Sequence, residues 1–167
     1  MKKLIIFSLL IFTTAMVHGQ QITTYQNPET AMLIPLEEEN RMASTEALQA
    51  TLHELISQRH AVQQAHWNVK GPLFYALHDL LGDFYEMLDA KIDVVAERKV
   101  ILGAPADGQV GSVAQSVDLP ELPQGFIDDQ QVLEVLTTRY KTLSDRLYDR
   151  IEATENDPPT QDLIIEL

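Results

Sequence analysis

Beyond residue 43, apolar residues recur every three or four positions, and the recurrence breaks only at a few glycines and prolines. Leu48, Leu52, Ile56 and Val62 keep a helical spacing, with Ser44 or Thr45 available as an N-cap and Glu46 in the first turn. This first helix is expected to run to about Val69, where Gly71 and Pro72 stop it. Leu77, Leu81, Phe84, Leu88, Ile92 and Val95 predict a second helix from about Leu73 to Leu102, closed by Gly103 and Pro105. Between Ala104 and Ile127 the chain is punctuated by Pro105, Gly108, Gly111, Pro120, Pro123 and Gly125. That pattern marks a long crossover, with room for one short helix over Ser112 to Val117. Val132, Leu136, Tyr140, Leu143, Leu147 and Ile151 predict a third long helix, from Asp128 or Asp129 to about Glu155. Asp157-Pro158-Pro159-Thr160 then opens a fourth segment, Gln161 to Leu167, which is apolar but stops after two turns. No strand is expected: no run sustains alternation, and Asp107-Gly108 lacks the flanking runs a hairpin needs.

A short turn, a long crossover and a short turn between long helices predict an all-α fold. The topology is that of a ferritin-like antiparallel four-helix bundle, with a short helix in the crossover and a fourth helix that looks truncated. Either the sequence is a piece of a longer one, or another subunit must cover the apolar faces that a full fourth helix would bury. The expected domain spans residues 44–167. Before it, residues 20–43 mix Gln, Thr, Asn and Pro with the acidic run Glu37-Glu38-Glu39, and read as an N-terminal arm.

Residues 1–19 read as a secretory signal peptide. Lys2 and Lys3 precede an apolar run, Leu4 to Phe12, broken only by Ser8, and Val17-His18-Gly19 offers a cleavage point after Gly19. The run is too short to span a bilayer comfortably, so no stable membrane insertion is expected after cleavage. The absence of cysteine removes a lipid anchor. The expected location is therefore outside the cytoplasm, in the periplasm or the extracellular space.

Composition narrows the function classes. The 167 residues, 45% of them hydrophobic, suit one domain with a proper core. With 25 acidic against 12 basic residues the formal charge is −13, which repels nucleic-acid phosphates and attracts cations. The lack of cysteine excludes disulfides, thiolate metal sites and a cysteine nucleophile.

Four residues on the first two predicted helices carry candidate chemistry: His66, His78, Asp93 and Glu97. Asp93 and Glu97 are four apart, so both carboxylates leave one helical face, and a like-charge pair there costs stability unless a cation joins them. Oxygen and imidazole donors together suit iron, manganese or zinc. His78 and Asp93 are separated by roughly 22 Å of helix at the usual rise, so one chain cannot place both on one ion. An antiparallel two-fold partner would bring the histidine end of one helix to the carboxylate end of its mate. His53 and His60 read as ordinary surface or core histidines. Asp79, Asp83, Glu86 and Asp89 read as a mostly solvated charged stripe.

The segments Ala65-His66-Trp67-Asn68-Val69-Lys70-Gly71-Pro72, Leu77-His78-Asp79-Leu80 and Asp93-Val94-Val95-Ala96-Glu97-Arg98 closely resemble the signature of the Dps family, the mini-ferritins. The resemblance extends from about Leu48 to Leu167 and is densest over 65–103. It implies a homododecameric hollow shell built from two-fold dimers, with an iron site at each dimer interface. There Fe(II) is oxidised, preferably by hydrogen peroxide, and stored as ferric mineral, which protects against oxidative damage. His66 and His78 would be ligands from one subunit and Asp93 and Glu97 from its mate. Trp67 would lie near the site as a packing residue or as an acceptor of oxidising equivalents. Zinc or manganese are possible occupants of the same site.

Two features depart from the family pattern. Where the family usually has an Asp four residues after the second histidine, this chain has Gly82, and the acid is next door at Asp83. One residue of slip turns a side chain by about 100° around a helix, so Asp83 can serve as a ligand only with local rearrangement. The fourth helix is also short. A second reading is therefore a metal-sequestering or structural shell with an impaired ferroxidase centre. DNA binding is not expected, because residues 20–43 contain no Lys and only Arg41, against Glu29, Glu37, Glu38 and Glu39.

Overall fold

The computed structural model describes residues 34–167, so the expected signal peptide and residues 20–33 of the expected arm lie outside the described residues. The described chain forms α1 (Glu38–Asn68), β1 (Val69–Lys70), α2 (Phe74–Ile101), α3 (Val110–Ser116), β2 (Ile127–Asp128), α4 (Asp129–Ala153) and α5 (Pro158–Ile165). Three long helices, a short crossover helix and a two-turn final helix match the expected all-α bundle. No helix among the described residues is long and apolar enough to cross a membrane.

Two expectations need correction. Helix α1 begins at Glu38, inside the expected arm, rather than at Ser44 or Thr45. Its first turn is polar and its N-cap, Glu37, makes no side-chain capping bond, so neither periodicity nor a cap residue announces it. Glu38 and Glu39 instead favour the positive end of the helix dipole. The second correction is a strand pair. Val69 pairs with Ile127 and Lys70 with Asp128 in parallel register. Two-residue strands are too short for alternation to show in sequence. The stitch buries Val69 and Ile127 and ties the end of α1 to the start of α4.

The α1–α2 turn is held from the far side of the chain. Gly71 has a φ of +125°, and a Cβ there would stand 2.5 Å from Asp129 Oδ2. That same oxygen accepts a hydrogen bond from the Leu73 N–H at 2.9 Å, capping the first turn of α2 with the buried Asp129 carboxylate.

Helices α1 and α2 run antiparallel, as the pairs His66–His78, Arg59–Asp89 and Gln49–Lys99 show. Leu48, Leu52, Leu55, Val62 and Ala65 of α1 pack on Leu77, Leu81, Leu88, Val95 and Leu102 of α2, and Val132 and Leu136 of α4 close the core. Polar ties fix α4 to α1. The buried Glu54 carboxylate takes Arg146 Nη1 and Arg150 Nη1, each at 2.6 Å, and Arg139 Nε donates to Gln58 Oε1 at 2.7 Å. Arg98 anchors α5 through Asp157 Oδ1 and Thr160 Oγ1, both at 2.8 Å. The α2 flank bearing Leu80, Met87, Val94 and Ile101, seven residues apart, stays exposed.

Candidate metal centre

His66 sits in the last turn of α1 and His78 early in α2, so the tight turn between the helices brings the two rings together. They stack with centroids 3.8 Å apart and planes 18° from parallel. Each ring also bonds to the other's main chain: His66 Nδ1 lies 2.6 Å from the His78 carbonyl, and His78 Nδ1 lies 2.9 Å from the His66 carbonyl. A carbonyl oxygen can only accept, so each Nδ1 must carry the hydrogen and donate it. The His66 carbonyl lies in the last turn of α1, where carbonyls lack intrahelical partners, and the His78 ring satisfies it. In the neutral rings both Nε2 atoms therefore keep a free lone pair, the state in which imidazole binds a metal.

Further rings hold the pair in place. Phe74 stacks on His78 with centroids 5.2 Å apart, and Tyr85 meets His66 edge-on at 5.4 Å. Arg59 covers the Tyr85 ring, its Cζ 5.5 Å from the centroid, and is itself fixed by Asp89 at 2.8 and 3.2 Å.

His78, Gly82, Tyr85, Asp89, Asp93 and Glu97 follow one another at steps of three or four, and so form one stripe along α2. Gly82 is the stripe residue that faces His66: a Cβ there would stand 3.6 Å from His66 Cε1 and 3.8 Å from Nδ1, in ordinary contact. Asp83, one position on, is exposed and makes no hydrogen bond or ion pair among the described residues. At the far end of the stripe, Asp93 and Glu97 are likewise exposed and unpaired among the described residues. Two carboxylates one turn apart with no internal cation leave a cation-binding face open to an outside partner.

Among the described residues, no group of three or more His, Asp or Glu side chains in the single chain is placed to hold a metal ion. The chain brings His66 and His78 together and keeps Asp93 and Glu97 at the opposite end of α2. Trp67 is 64% exposed and makes no ring contact with either histidine. His53 is buried with its Nε2 2.8 Å from the Gln49 amide nitrogen, and His60 is exposed, so both stand apart from the pair. Sequence reasoning missed Tyr85 and Arg59. The signal available was the stripe itself, since Tyr85 lies three residues after Gly82.

The ferritin-like domain family matches residues 45–167. The DNA protection during starvation protein 2 of Deinococcus radiodurans is 39% identical over 155 residues, covering 87% of this chain and 64% of that protein. The chain thus spans slightly less than two thirds of that relative's length. A crystal structure of a Dps from Deinococcus radiodurans superposes with a TM-score of 0.75 at 43% identity, over 77% of this chain and 78% of that one. The structure of a Dps from Microbacterium arborescens in its high iron form superposes with a TM-score of 0.73 at 30% identity, over 78% of this chain and 86% of that one.

Proposed function

The chain belongs to the Dps family of ferritin-like proteins, and from that premise we propose that it binds Fe(II) between two subunits, oxidises it with hydrogen peroxide and stores the ferric product. The observation that carries this reading is the reciprocal bonding of His66 and His78, which leaves the Nε2 of each of two stacked imidazoles as its free donor. Two imidazoles alone make a weak iron site. An antiparallel two-fold partner supplies Asp93 and Glu97, oxygen donors that suit iron and neutralise its charge. With His78 opposite the partner's carboxylate pair, the two-fold axis crosses α2 level with residues 86–87. Both copies of the site then form together, one on each side of the axis.

Each group has a distinct task. The histidines bind and orient Fe(II), Asp93 and Glu97 lower the energy of the ferric product, and Gly82 leaves the third wall beside His66 without a donor. The assembly is a homododecameric shell of such dimers, and removing Fe(II) and peroxide together suppresses hydroxyl-radical formation. The protein works outside the cytoplasm, in the periplasm or extracellular space, after loss of residues 1–19. DNA is not a partner, because a chain of charge −13 repels phosphate. A retarded DNA band at physiological salt without bridging metal would count against that exclusion.

Gly82 favours a second reading as well, in which the shell sequesters iron but oxidises it slowly. The test separates the two. Purified protein is loaded anaerobically with Fe(II), stoichiometric hydrogen peroxide is added, and ferric absorbance is followed. The proposal predicts a rise faster than in the protein-free control, lost in His66→Ala and in Glu97→Ala. Binding without faster oxidation supports the sequestering shell, and no binding at all overturns both.

A further inference from the structure

Peroxide takes up two electrons when its O–O bond breaks, and one Fe(II) provides one. The wall that faces His66 is a glycine, so the centre described above offers donors for one tightly held iron, and the second electron must come from elsewhere. Tyr85 stands one step beyond Gly82 on the same stripe and touches His66 edge-on, with centroids 5.4 Å apart. Among the described residues no other readily oxidised ring touches the histidine pair: Phe74 is inert to one-electron oxidation under these conditions, and Trp67 makes no ring contact with either histidine. Tyr85 is also fixed from behind, by Arg59 at 5.5 Å and through it by Asp89. A half-buried phenol clamped between a candidate iron ligand and a bound guanidinium is placed to react with the oxidant at the iron rather than with bulk solvent.

Resting on the iron-oxidising reading above, we propose that Tyr85 is the one-electron donor that completes peroxide reduction at the centre. The O–O bond of hydrogen peroxide breaks as Fe(II) gives one electron and Tyr85 gives a hydrogen atom, the electron together with its phenolic proton. The products are Fe(III), one hydroxide, one water and the Tyr85 phenoxyl radical, so no hydroxyl radical leaves the site. A later Fe(II) returns an electron and solvent returns a proton, which restores the phenol and brings the total to two Fe(II) per peroxide.

The test is rapid-freeze electron paramagnetic resonance on the assembled protein given one Fe(II) per subunit anaerobically and then one equivalent of hydrogen peroxide. Ferric iron is quantified in the same samples. The wild type is expected to show a tyrosyl signal that falls to background in Tyr85→Phe and persists in Trp67→Phe, with ferric iron formed in all three. Tyr85→Phe keeps the ring and its packing, and an unchanged thermal melt verifies that it folds. A tyrosyl signal that survives Tyr85→Phe, a radical lost only in Trp67→Phe, or ferric iron formed with no protein radical would each overturn the assignment. Ferric iron absent from every protein would instead remove the functional reading, and this inference with it.

Discussion

His66 and His78 set each other's tautomer through the main chain alone, so their free Nε2 atoms need no carboxylate behind the rings to fix them. Gly82 is where α2 faces the His66 ring of α1. A Cβ there meets the His66 ring at ordinary contact distance, and the backbone is not in the left-handed region. Gly82→Ala is therefore expected to stabilise the fold by about 1 kcal/mol, read by urea unfolding, while iron oxidation stays as in the wild type. Gly82→Asp places a carboxylate beside His66 and is expected to raise the peroxide-dependent oxidation rate on the order of tenfold, the scale on which ligand-shell changes act. A slower rate in Gly82→Asp would show that this wall does not face the iron. The two histidines and the Asp93–Glu97 pair could be singled out as candidates from spacing and motif, and the structure stacks the first pair and leaves the second exposed on α2. The Tyr85–Arg59–Asp89 clamp was not legible, because it exists only where two helices meet, and neither helix alone announces it.

Among the elements, the interior of each long helix was legible because its apolar residues keep one face across many turns. Ends were less so: α1 starts on polar residues without a capping bond, and the β1–β2 stitch is two residues long. The ties between elements were invisible for the same reason as the clamp. Glu54, 6% exposed, reads in sequence as one more helical acid, yet it takes Arg146 and Arg150 of α4 on its two oxygens. Removing it leaves two guanidiniums without their shared anion in a mostly buried setting. Glu54→Ala is expected to cost on the order of 3 kcal/mol, seen as a lower urea midpoint with an unchanged slope. A loss within the error of the wild type would mean that the apolar contacts alone fix α4.

For the whole molecule, the central claim is that one chain carries two halves of different sites. The histidine half and the carboxylate half occupy opposite ends of α2, separated by about 22 Å of helix. On the proposed reading they become one centre when a second copy packs antiparallel. That reading accounts for two facts: among the described residues the single chain gathers no cluster of three ligating side chains, and Asp93 and Glu97 have no partner there. The measurement that tests this claim most directly is complementation between two inactive variants. His66→Ala and Glu97→Ala chains are each purified, then unfolded, mixed in equal amounts and reassembled. A mixed dimer pairs the intact histidines of one variant with the intact carboxylates of the other. One of its two centres is then whole, so about a quarter of all centres should regain peroxide-driven Fe(II) oxidation. Recovery near that level, with neither variant active alone, is the predicted result. No recovery on mixing, despite assembly of mixed dimers, would contradict a centre shared between subunits.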